Sequence, residues 1–439
     1  MTAMSSVALE LLGNFQARID ACHEAGGGEV LIPPGRHLTG CLMLRSNVHL
    51  RLAPGAVLVG TPDIADYHRK NVPLFTDAVG GERGHALVLA NDACNIGISG
   101  PGVLDGNGLA FVGQQHRPML LRFVRCQGVK VRDVCLKDSA AWVQHYLDCE
   151  DVLIDGVTVN SLHCSNNDGI NLDGCRRVTV SNCRIESKDD GITLKTTTLA
   201  ACRDIVITNC SISSECNGIK IGTESKSAFR NISVTNCVLH GVRLCGIEIL
   251  SVDGAEIDTV NVSNVTMDRV GGAFFVRLGC RGLNETLHHP GRVRNVSITN
   301  VVATIFDDMP EEISPWEVAH GARSPSSIMG LPGHPVEKVY LANISIHHIG
   351  TGLEEDCVRP VEEKPAEYPQ WERWGPLPAW GIYLRHTRRV IGRDLQFSLQ
   401  NADARPWLHA EDAEDLVLEG THVYDENGRE NRKGQSHNL

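Results

Sequence analysis

The middle of the chain alternates apolar and polar residues in short phrases that return at a nearly constant spacing. The clearest phrases are VTVSNCRIES (178–187), IVITNCSISS (205–214), ISVTNCVLHG (232–241), VNVSNVTMDR (260–269) and VSITNVVATI (296–305), with weaker copies at 129–138, 152–161 and 339–348. Asn182, Asn209 and Asn236 are 27 residues apart, and Asn264 follows after 28. Alternation with many β-branched residues predicts strands that end at an asparagine bend.

This spacing predicts a repeat architecture. A period in the twenties, built from short strands without helical phrases between them, is typical of an all-β solenoid with stacked parallel coils. Stacking would align the asparagines in a hydrogen-bonded ladder. Cys183, Cys210 and Cys237 form a second column, which we interpret as small buried residues. Because a solenoid grows by repetition, the 439 residues predict a single domain over 1–439 rather than two cores.

The ends and interruptions of the repeat predict how this domain is organised. Residues 1–28 include FQARIDACHEAGGG, whose helical spacing and glycine stop predict a short N-terminal capping helix. Coils follow over 29–425 and a tail over 426–439. Aperiodic excursions near 279–292, 307–335 and 356–378 interrupt the coils. Such excursions often wall a binding groove.

Composition and charge limit the classes of partner that the protein is expected to bind. A formal net charge of -12, a pI near 5.9 and the lack of any Lys/Arg-rich run argue against nucleic acid as a partner. No window approaches 18 uninterrupted apolar residues, so no membrane span is predicted. The first residues lack the pattern of a signal peptide, which favours a cytoplasmic location. Sixteen cysteines without a CxxC pair are expected to be reduced and mostly buried.

Four segments align on the glycines Gly169, Gly191, Gly218 and Gly246. They are NNDGINLDG (166–174), KDDGITLKT (188–196), CNGIKIGTE (216–224) and CGIEILSVD (245–253). Apolar residues then fall in two columns, which must face the interior. The polar residues between them are expected to face outward as a charged strip of Asn171, Thr193, Lys220, Glu248, Asp173 and Lys195.

Three aspartates fall together in this alignment. Asp168 and Asp190 share the column before the glycine, with Asp189 beside them. We expect Asp-Gly bends to turn them onto the surface, in coils about 4.8 Å apart. Crowded carboxylates raise at least one pKa, which leaves a protonated acid beside ionised bases, as glycoside hydrolysis requires. A ladder of turn-forming aspartates or a cation site are the alternatives.

These motifs, together with residues 26–60, 100–108 and 377–386, resemble the polygalacturonase-like glycoside hydrolases of family 28. The resemblance implies a right-handed parallel β-helix that cleaves a pectin-type oligosaccharide by inversion, without a metal or another cofactor. It implies that Asp189 is the general acid and that Asp168 and Asp190 hold and deprotonate the attacking water. Asn166 and Lys195 match the asparagine and lysine of the family motifs.

Two departures from the family pattern concern substrate binding. Cys216-Asn217-Gly218 stands where the family has Gly-His-Gly, and Glu248-Ile249-Leu250 stands where it has Arg-Ile-Lys. Lys220, Arg277 and Arg243 are substitute cations, Glu224 is an additional acid, and Trp142 and His145 lie one coil before Asp168. The candidate substrate-binding residues are therefore His145, Asn166, Lys195, Asn217, Lys220, Glu224, Glu248 and Arg277. Trp371, Trp374 and Trp380 are interpreted either as a sugar platform or as cover for the helix end.

Three functions remain open at this point. The leading hypothesis is an exo-acting hydrolase that inverts configuration on a uronate- or rhamnose-containing oligosaccharide. The second is a polysaccharide lyase on the same β-helix, with Ca²⁺ held by the acids. The third is a non-catalytic glycan-binding or assembly protein, which the missing histidine and Arg-Lys pair would suit. Oligomeric state is left open.

Overall fold

A computed structural model describes residues 14–67, 74–77, 80–282, 289–306 and 324–430. Parts of the predicted excursions at 279–292 and 307–335, and of the two termini, lie outside these residues. The chain divides into two compact units, Met1–Ile192 and Thr193–Leu439, which are described separately. A single domain over the whole chain therefore stays a prediction.

The described part of the first unit begins with helix α1 (Phe15–Glu24) and continues almost entirely in short strands. Asn14 caps α1 by accepting the Ala17 amide at 3.0 Å, and Phe15 and Ile19 are buried, which confirms the predicted cap helix. Short 3-10 helices cover Ile64–Tyr67 and Gly108–Phe111. The strands are β1 (Gly28–Ile32), β2 (Gly35–Thr39), β3 (Leu42–Met43), β4 (Val48–Leu52), β5 (Ala56–Gly60), β6 (Phe75–Thr76), β7 (Glu82–Arg83), β8 (Ala86–Asn91), β9 (Cys94–Ser99), β10 (Val103–Asp105), β11 (Met119–Val124), β12 (Gln127–Arg132), β13 (Cys135–Lys137), β14 (Gln144–Leu147), β15 (Glu150–Asp155), β16 (Thr158–Ser161), β17 (Ile170–Asp173), β18 (Arg176–Ser181) and β19 (Arg184–Ser187).

Parallel pairing arranges all of these strands except β6 and β7 in three columns, one for each side of a coil, and β6 and β7 form a separate antiparallel pair. The first column is β1, β4, β9, β12, β15 and β18. The second is β2, β5, β10, β13, β16 and β19. The third is β3, β8, β11, β14 and β17. Each strand in a column pairs with the equivalent strand of the next coil, as a parallel solenoid requires.

The second unit continues in parallel strands, several of which run through the bends of a coil without a break. β20 (Ile192–Thr196) begins at the last residue of the first unit. Helix α2 (Glu354–Cys357) and a 3-10 helix (Trp371–Trp374) lie in the predicted excursion at 356–378 or next to it. The remaining strands are β21 (Cys202–Thr208), β22 (Ser211–Ser214), β23 (Ile219–Ser225), β24 (Phe229–Ser251), β25 (Glu256–Leu278), β26 (Arg292–Ile305), β27 (Ser326–Met329), β28 (Val336–His348), β29 (Ile382–Leu399), β30 (Leu408–Glu419) and β31 (His422–Tyr424).

The predicted asparagine ladder is present in the second unit. Asn264 Nδ2 donates to Asn236 Oδ1 at 3.2 Å, Asn300 to Asn264 at 2.9 Å, and Asn343 to Asn300 at 2.9 Å. All four residues have a positive φ between 50° and 55°. Asparagine tolerates this left-handed conformation better than most residues, so one residue type supplies both the bend and the bond between coils.

Apolar residues fill the interior of each unit in the alternating pattern predicted from the sequence. In β18, for example, Val178 and Val180 are buried while the residues around them are not. Cys183, Cys210 and Cys237 are buried, and all sixteen cysteines are free thiols, which confirms the expectation for them. Among the described residues no helix is long and apolar enough to cross a lipid bilayer.

Candidate active site

The first unit brings Asp168 and Asp190 into register on neighbouring coils. The Gly169 amide donates to the Asp190 carbonyl at 2.9 Å, and the Ile170 amide donates to the Gly191 carbonyl at 3.0 Å. These bonds set Gly169 opposite Gly191, as the glycine alignment predicted. The two aspartates that precede the glycines are therefore neighbours along the stack.

The expected exposure of these two aspartates is wrong. Asp168 and Asp190 are each only 3% exposed. Their carbonyls accept ladder bonds, from the amides of Val143 at 2.8 Å and of Gly169 at 2.9 Å. The backbone does bend at Gly169 and Gly191, as expected, but it stays in the ladder and the bends do not bring the two side chains to the surface. An ionised carboxylate at this depth requires hydrogen-bonded or charged partners.

Asp189 has a different environment from Asp190. Its side chain is partly exposed, and its Oδ1 accepts the Asp190 amide at 2.9 Å. Ser187 Oγ donates to the Asp189 carbonyl at 2.8 Å, so the backbone of the doublet is fixed on both sides. Carboxylate oxygens of Asp189 and Asp190 lie within 4.8 Å of each other. Two adjacent carboxylates thus differ in access to solvent.

Arg117 anchors the loop that carries Asn166. Its Nη2 donates to Asn166 Oδ1 at 2.7 Å, and its Nη1 donates to the carbonyls of Ser165 at 2.7 Å and Ala140 at 3.0 Å. Burial lowers the pKa of Arg117, and the nearby Asp189 opposes this shift. Asn166 is thus oriented by a cation that the sequence did not single out, because Arg117 lies in an aperiodic stretch 49 residues earlier.

His145 occupies the predicted coil but is completely buried. It pairs in register with Asn171, and its Nε2 lies 3.2 Å from Asp173 Oδ2. The rings of Phe75 and Trp142 pack against it with centroids at 5.4 and 5.1 Å. Asp173 and Asn171 are also fully buried, so the expected outward exposure of this part of the strip is wrong.

The strip in the second unit consists of buried ion pairs rather than exposed charges. Lys195 Nζ lies 3.2 Å from Glu224 Oε2, and Lys220 Nζ lies 3.7 Å from Glu248 Oε2. All four side chains are less than 10% exposed. Lys220 and Glu248 are opposite each other in the register of β23 and β24, as predicted. Thr193 is buried as well, so the predicted alternation holds while the predicted solvent exposure does not.

Residues from the excursion at 356–378 cover this strip. The Lys220 ammonium lies 5.6 Å from the ring centroid of Tyr368, whose hydroxyl is 3.1 Å from Thr223 Oγ1. Gln370 Nε2 lies 3.7 Å from Cys216 Sγ. This segment of the second unit therefore packs over the strip, which explains why the strip is buried, while a binding groove walled by the excursions stays a prediction.

Arg277 is held by the same excursion. Its Nη1 donates to the Gly330 carbonyl at 3.1 Å, its Nη2 donates to the Glu363 carbonyl, and its guanidinium lies 4.8 Å from the centroid of Trp374. Burial lowers the pKa of Arg277 to about 10, so the guanidinium remains charged at neutral pH. Arg277 therefore braces the excursion.

Comparison with known proteins assigns the family. The family model for glycosyl hydrolases family 28 matches residues 75–313, more than half of the 439-residue chain. The chain belongs to this family. The resemblance found in the sequence motifs is therefore confirmed.

Curated relatives share only part of their length with this family 28 member. A probable polygalacturonase of Vitis vinifera is 29% identical over 184 residues, which cover 39% of this chain and 37% of that protein. An exo-poly-alpha-D-galacturonosidase of Dickeya chrysanthemi is 25% identical over 232 residues, covering 40% of this chain and 38% of that protein. The chain thus spans less than two fifths of each relative.

Solved structures confirm the right-handed parallel β-helix. An exopolygalacturonase from Thermotoga maritima aligns with a TM-score of 0.64 at 22% identity, covering 76% of this chain and 82% of that one. The family 28 exopolygalacturonase of Yersinia enterocolitica aligns with a TM-score of 0.61 at 16% identity, covering 92% and 74%. At this level of identity the likeness establishes the fold alone.

Asn217 joins two coils of the second unit. Its Oδ1 accepts the Cys245 amide at 3.0 Å, and the residue is fully buried. Asn167 has a similar task in the first unit, where its Nδ2 donates to the carbonyls of Ser139 at 2.8 Å and Ala141 at 2.9 Å. The carboxamide of Asn217 is thus engaged with the backbone.

The three late tryptophans are packing residues. Trp371 and Trp374 belong to a buried cluster with Phe275, Met329 and Tyr383. Trp380 is also buried and packs near Phe397. Their burial agrees with the interpretation that these residues cover the helix end. It does not agree with the interpretation that they form a platform for a sugar.

Proposed function

We propose that the protein hydrolyses a glycosidic bond in a pectin-type oligosaccharide that contains uronate or rhamnose. The observation that carries this proposal is the register of Asp168 with Asp190, with Asp189 beside them in a more accessible environment. Membership in family 28 and relatives named as polygalacturonases support the substrate class.

In this proposal Asp189 is the general acid. Its partly exposed carboxyl can reach a leaving-group oxygen, while the hydrogen bond from the Asp190 amide to Oδ1 fixes its orientation. Asp168 and Asp190 hold and deprotonate the attacking water. Their burial keeps that water away from bulk solvent, where general acid–base catalysis would be less directed. Asn166, oriented by Arg117, contributes to substrate binding from the same unit.

The proposed stereochemical outcome is inversion. Inverting enzymes separate acid and base carboxyls by about 6.5–9.5 Å to admit a water, and retaining enzymes by about 5–5.5 Å. One carboxylate oxygen each of Asp189 and Asp190 lie within 4.8 Å of each other, so the separation of this pair does not itself indicate inversion. Inversion is therefore supported by the family resemblance, and it requires a direct measurement.

Exo action is proposed on the basis of the covered strip. Tyr368 lies over Lys220, and Trp374 lies over Arg277, so the excursion at 356–378 shortens the polar surface in the second unit. A shortened surface favours binding of a chain end over binding of a chain middle. Relatives named as exo-acting enzymes support the same choice.

The test compares wild type with Asp189→Asn on oligogalacturonides and rhamnogalacturonan oligosaccharides. Asparagine keeps the Oδ1 acceptor for the Asp190 amide, so the variant is expected to fold, while kcat falls by roughly 10²–10⁴-fold. Exo action predicts that the first product is a short sugar of one constant length, released from the chain end. A control is Asp151→Asn, since Asp151 also lies in an acidic doublet but pairs with Arg177 on the surface.

Three results would contradict the proposal. Equal activity of Asp189→Asn and wild type would remove Asp189 from catalysis. Products that absorb in the ultraviolet and activity that is lost with chelator would favour a lyase. Glycan binding without turnover on any of these substrates would favour the non-catalytic alternative.

A further inference from the structure

Two histidines and a glutamate meet in the first unit, apart from the three aspartates. We call Glu82, His85 and His116 the His85 cluster. One ligand atom from each lies within 4.8 Å of the other two. His116 Nδ1 is 2.9 Å from Glu82 Oε1, and the two imidazole centroids are 6.2 Å apart with nearly perpendicular rings.

The strand that carries Glu82 is held by its neighbour. β6 and β7 pair in antiparallel register, and the Gly81 amide donates to Asp77 Oδ1 at 2.7 Å. Arg83, the neighbour of Glu82, pairs with Asp77 at 2.8 Å, and both side chains are almost fully buried. A buried ion pair directly beside Glu82 limits how far its backbone can move.

The segments that carry the two histidines are tied to each other. The Met119 amide donates to the His85 carbonyl at 2.8 Å, and the buried Arg122 donates to the Gly84 carbonyl at 3.1 Å. His85 itself is 8% exposed, whereas Glu82 and His116 are about 40% exposed at the side chain. Three donors are thus fixed in place with one side reachable from solvent, as a metal site requires.

The donor set fits a borderline divalent ion. Two imidazoles and one carboxylate are ligands of open, three-residue zinc sites. Tetrahedral zinc with bonds of about 2.0–2.1 Å would place the ligand atoms about 3.4 Å apart. The Glu82–His116 separation of 2.9 Å would widen by about 0.5 Å, which their exposed side chains allow.

A comparison within the unit separates this cluster from an ordinary ion pair. His163 Nδ1 lies 2.7 Å from Asp138 Oδ1, also at the surface. That pair is one imidazole and one carboxylate, while the His85 cluster adds a second imidazole within reach of both partners. With the second imidazole, the cluster has enough ligand atoms to chelate a metal ion, whereas the His163–Asp138 pair forms only a hydrogen bond.

We propose that the His85 cluster binds one first-row transition-metal dication, Zn²⁺, with three protein ligands and at least one position open to an oxygen ligand. None of its three ligands is one of the proposed catalytic aspartates. Because His116 precedes Arg117, which holds Asn166, bound metal would also stiffen the segment that orients this candidate binding residue.

The experiment titrates chelator-treated protein with ZnCl₂ by calorimetry and by thermal melting. Wild type is expected to bind one more equivalent than His116→Ala, His85→Ala or Glu82→Gln, each of which weakens that equivalent by about 100-fold or more. Zn²⁺ is expected to raise the melting temperature of wild type more than that of the three variants. His163→Ala is the matched control and should behave as wild type.

The zinc binding of wild type is compared with that of each variant, because free thiols such as Cys94 also bind zinc. This background binding is the same in all of the proteins. Glu82→Gln decides the outcome if a histidine variant does not fold, since Glu82 is half exposed and the change is isosteric. The proposal would be overturned if wild type and Glu82→Gln bound zinc with the same stoichiometry and affinity. It would also be overturned if His163→Ala lost as much zinc binding as the variants of the His85 cluster.

Discussion

His348 is a fully buried histidine whose hydrogen bonds select one neutral tautomer. Its Nδ1 accepts the Gly350 amide at 3.0 Å, and its Nε2 lies 3.3 Å from the Ser324 carbonyl. Burial, with a smaller effect of Arg405, lowers the pKa of His348 from 6.5 to about 4. A second proton would have to point at the Gly350 amide in a site without solvent, so the neutral ring is strongly preferred.

This shift predicts an acid-dependent loss of stability. The unfolded chain takes up the proton near pH 6.5 and the folded chain only near pH 4, so stabilisation is complete above 6.5 and declines between these values. The loss from this group is about 3 kcal/mol between pH 7 and pH 4. In urea unfolding, the stability difference between wild type and His348→Asn should shrink by this order over that range. A constant difference would contradict the shift.

Single residues show what periodicity reveals and what it omits. The position of Asp168 next to Asp190 in one column could be predicted, because a repeat places equivalent residues of successive coils side by side. Their burial could not, since it depends on surrounding side chains. Arg117 was missed because its contacts lie 23 to 49 residues along the chain, with no repeat to indicate the register.

At the scale of elements, β23 and β24 share a buried ion pair. Lys220→Met leaves Glu248, which is 1% exposed, without the cation 3.7 Å away, and is expected to cost about 3–5 kcal/mol of unfolding free energy. Adding Glu248→Leu removes the buried charge, so the double variant should recover much of this loss. Denaturant unfolding measures both. Additive losses would mean that the two residues are not coupled.

The asparagine ladder makes a second prediction for elements. Asn264 has φ 54° and bonds to Asn236 and Asn300. Both Asn264→Ala and Asn264→Gly lose the side-chain hydrogen bonds of the ladder. Alanine also costs about 1–2 kcal/mol of unfolding free energy for its left-handed backbone conformation, and glycine avoids that cost. Thermal melting should therefore rank wild type above Gly and Gly above Ala. Equal melting of Gly and Ala would show that backbone conformation does not matter at this bend.

Strands and excursions differ in how well the sequence predicts them. The register of Lys220 with Glu248 follows from aligned glycines, because each coil repeats the last. The excursion at 356–378 has no period, so its packing over Lys220 and Arg277 could only be anticipated as a wall of unknown placement. That packing converted an expected exposed strip into buried pairs.

At the scale of the whole molecule, the all-β fold and the family were predictable because many coils carry the same pattern. The tasks of Asn217 and Arg277 could not be predicted, since both side chains bind backbone groups that only folding brings close. A single domain and a cytoplasmic location stay predictions.

The central claim is that three aspartates hydrolyse a glycosidic bond with inversion. Time-resolved ¹H NMR of the reaction on a cleaved pectin-type oligosaccharide tests it most directly, because the first product anomer appears before mutarotation. Inversion predicts that the new reducing end initially has the opposite configuration to the bond that was cleaved. Initial retention would contradict the account, because it would require a covalent glycosyl-enzyme intermediate in place of a water held by Asp168 and Asp190.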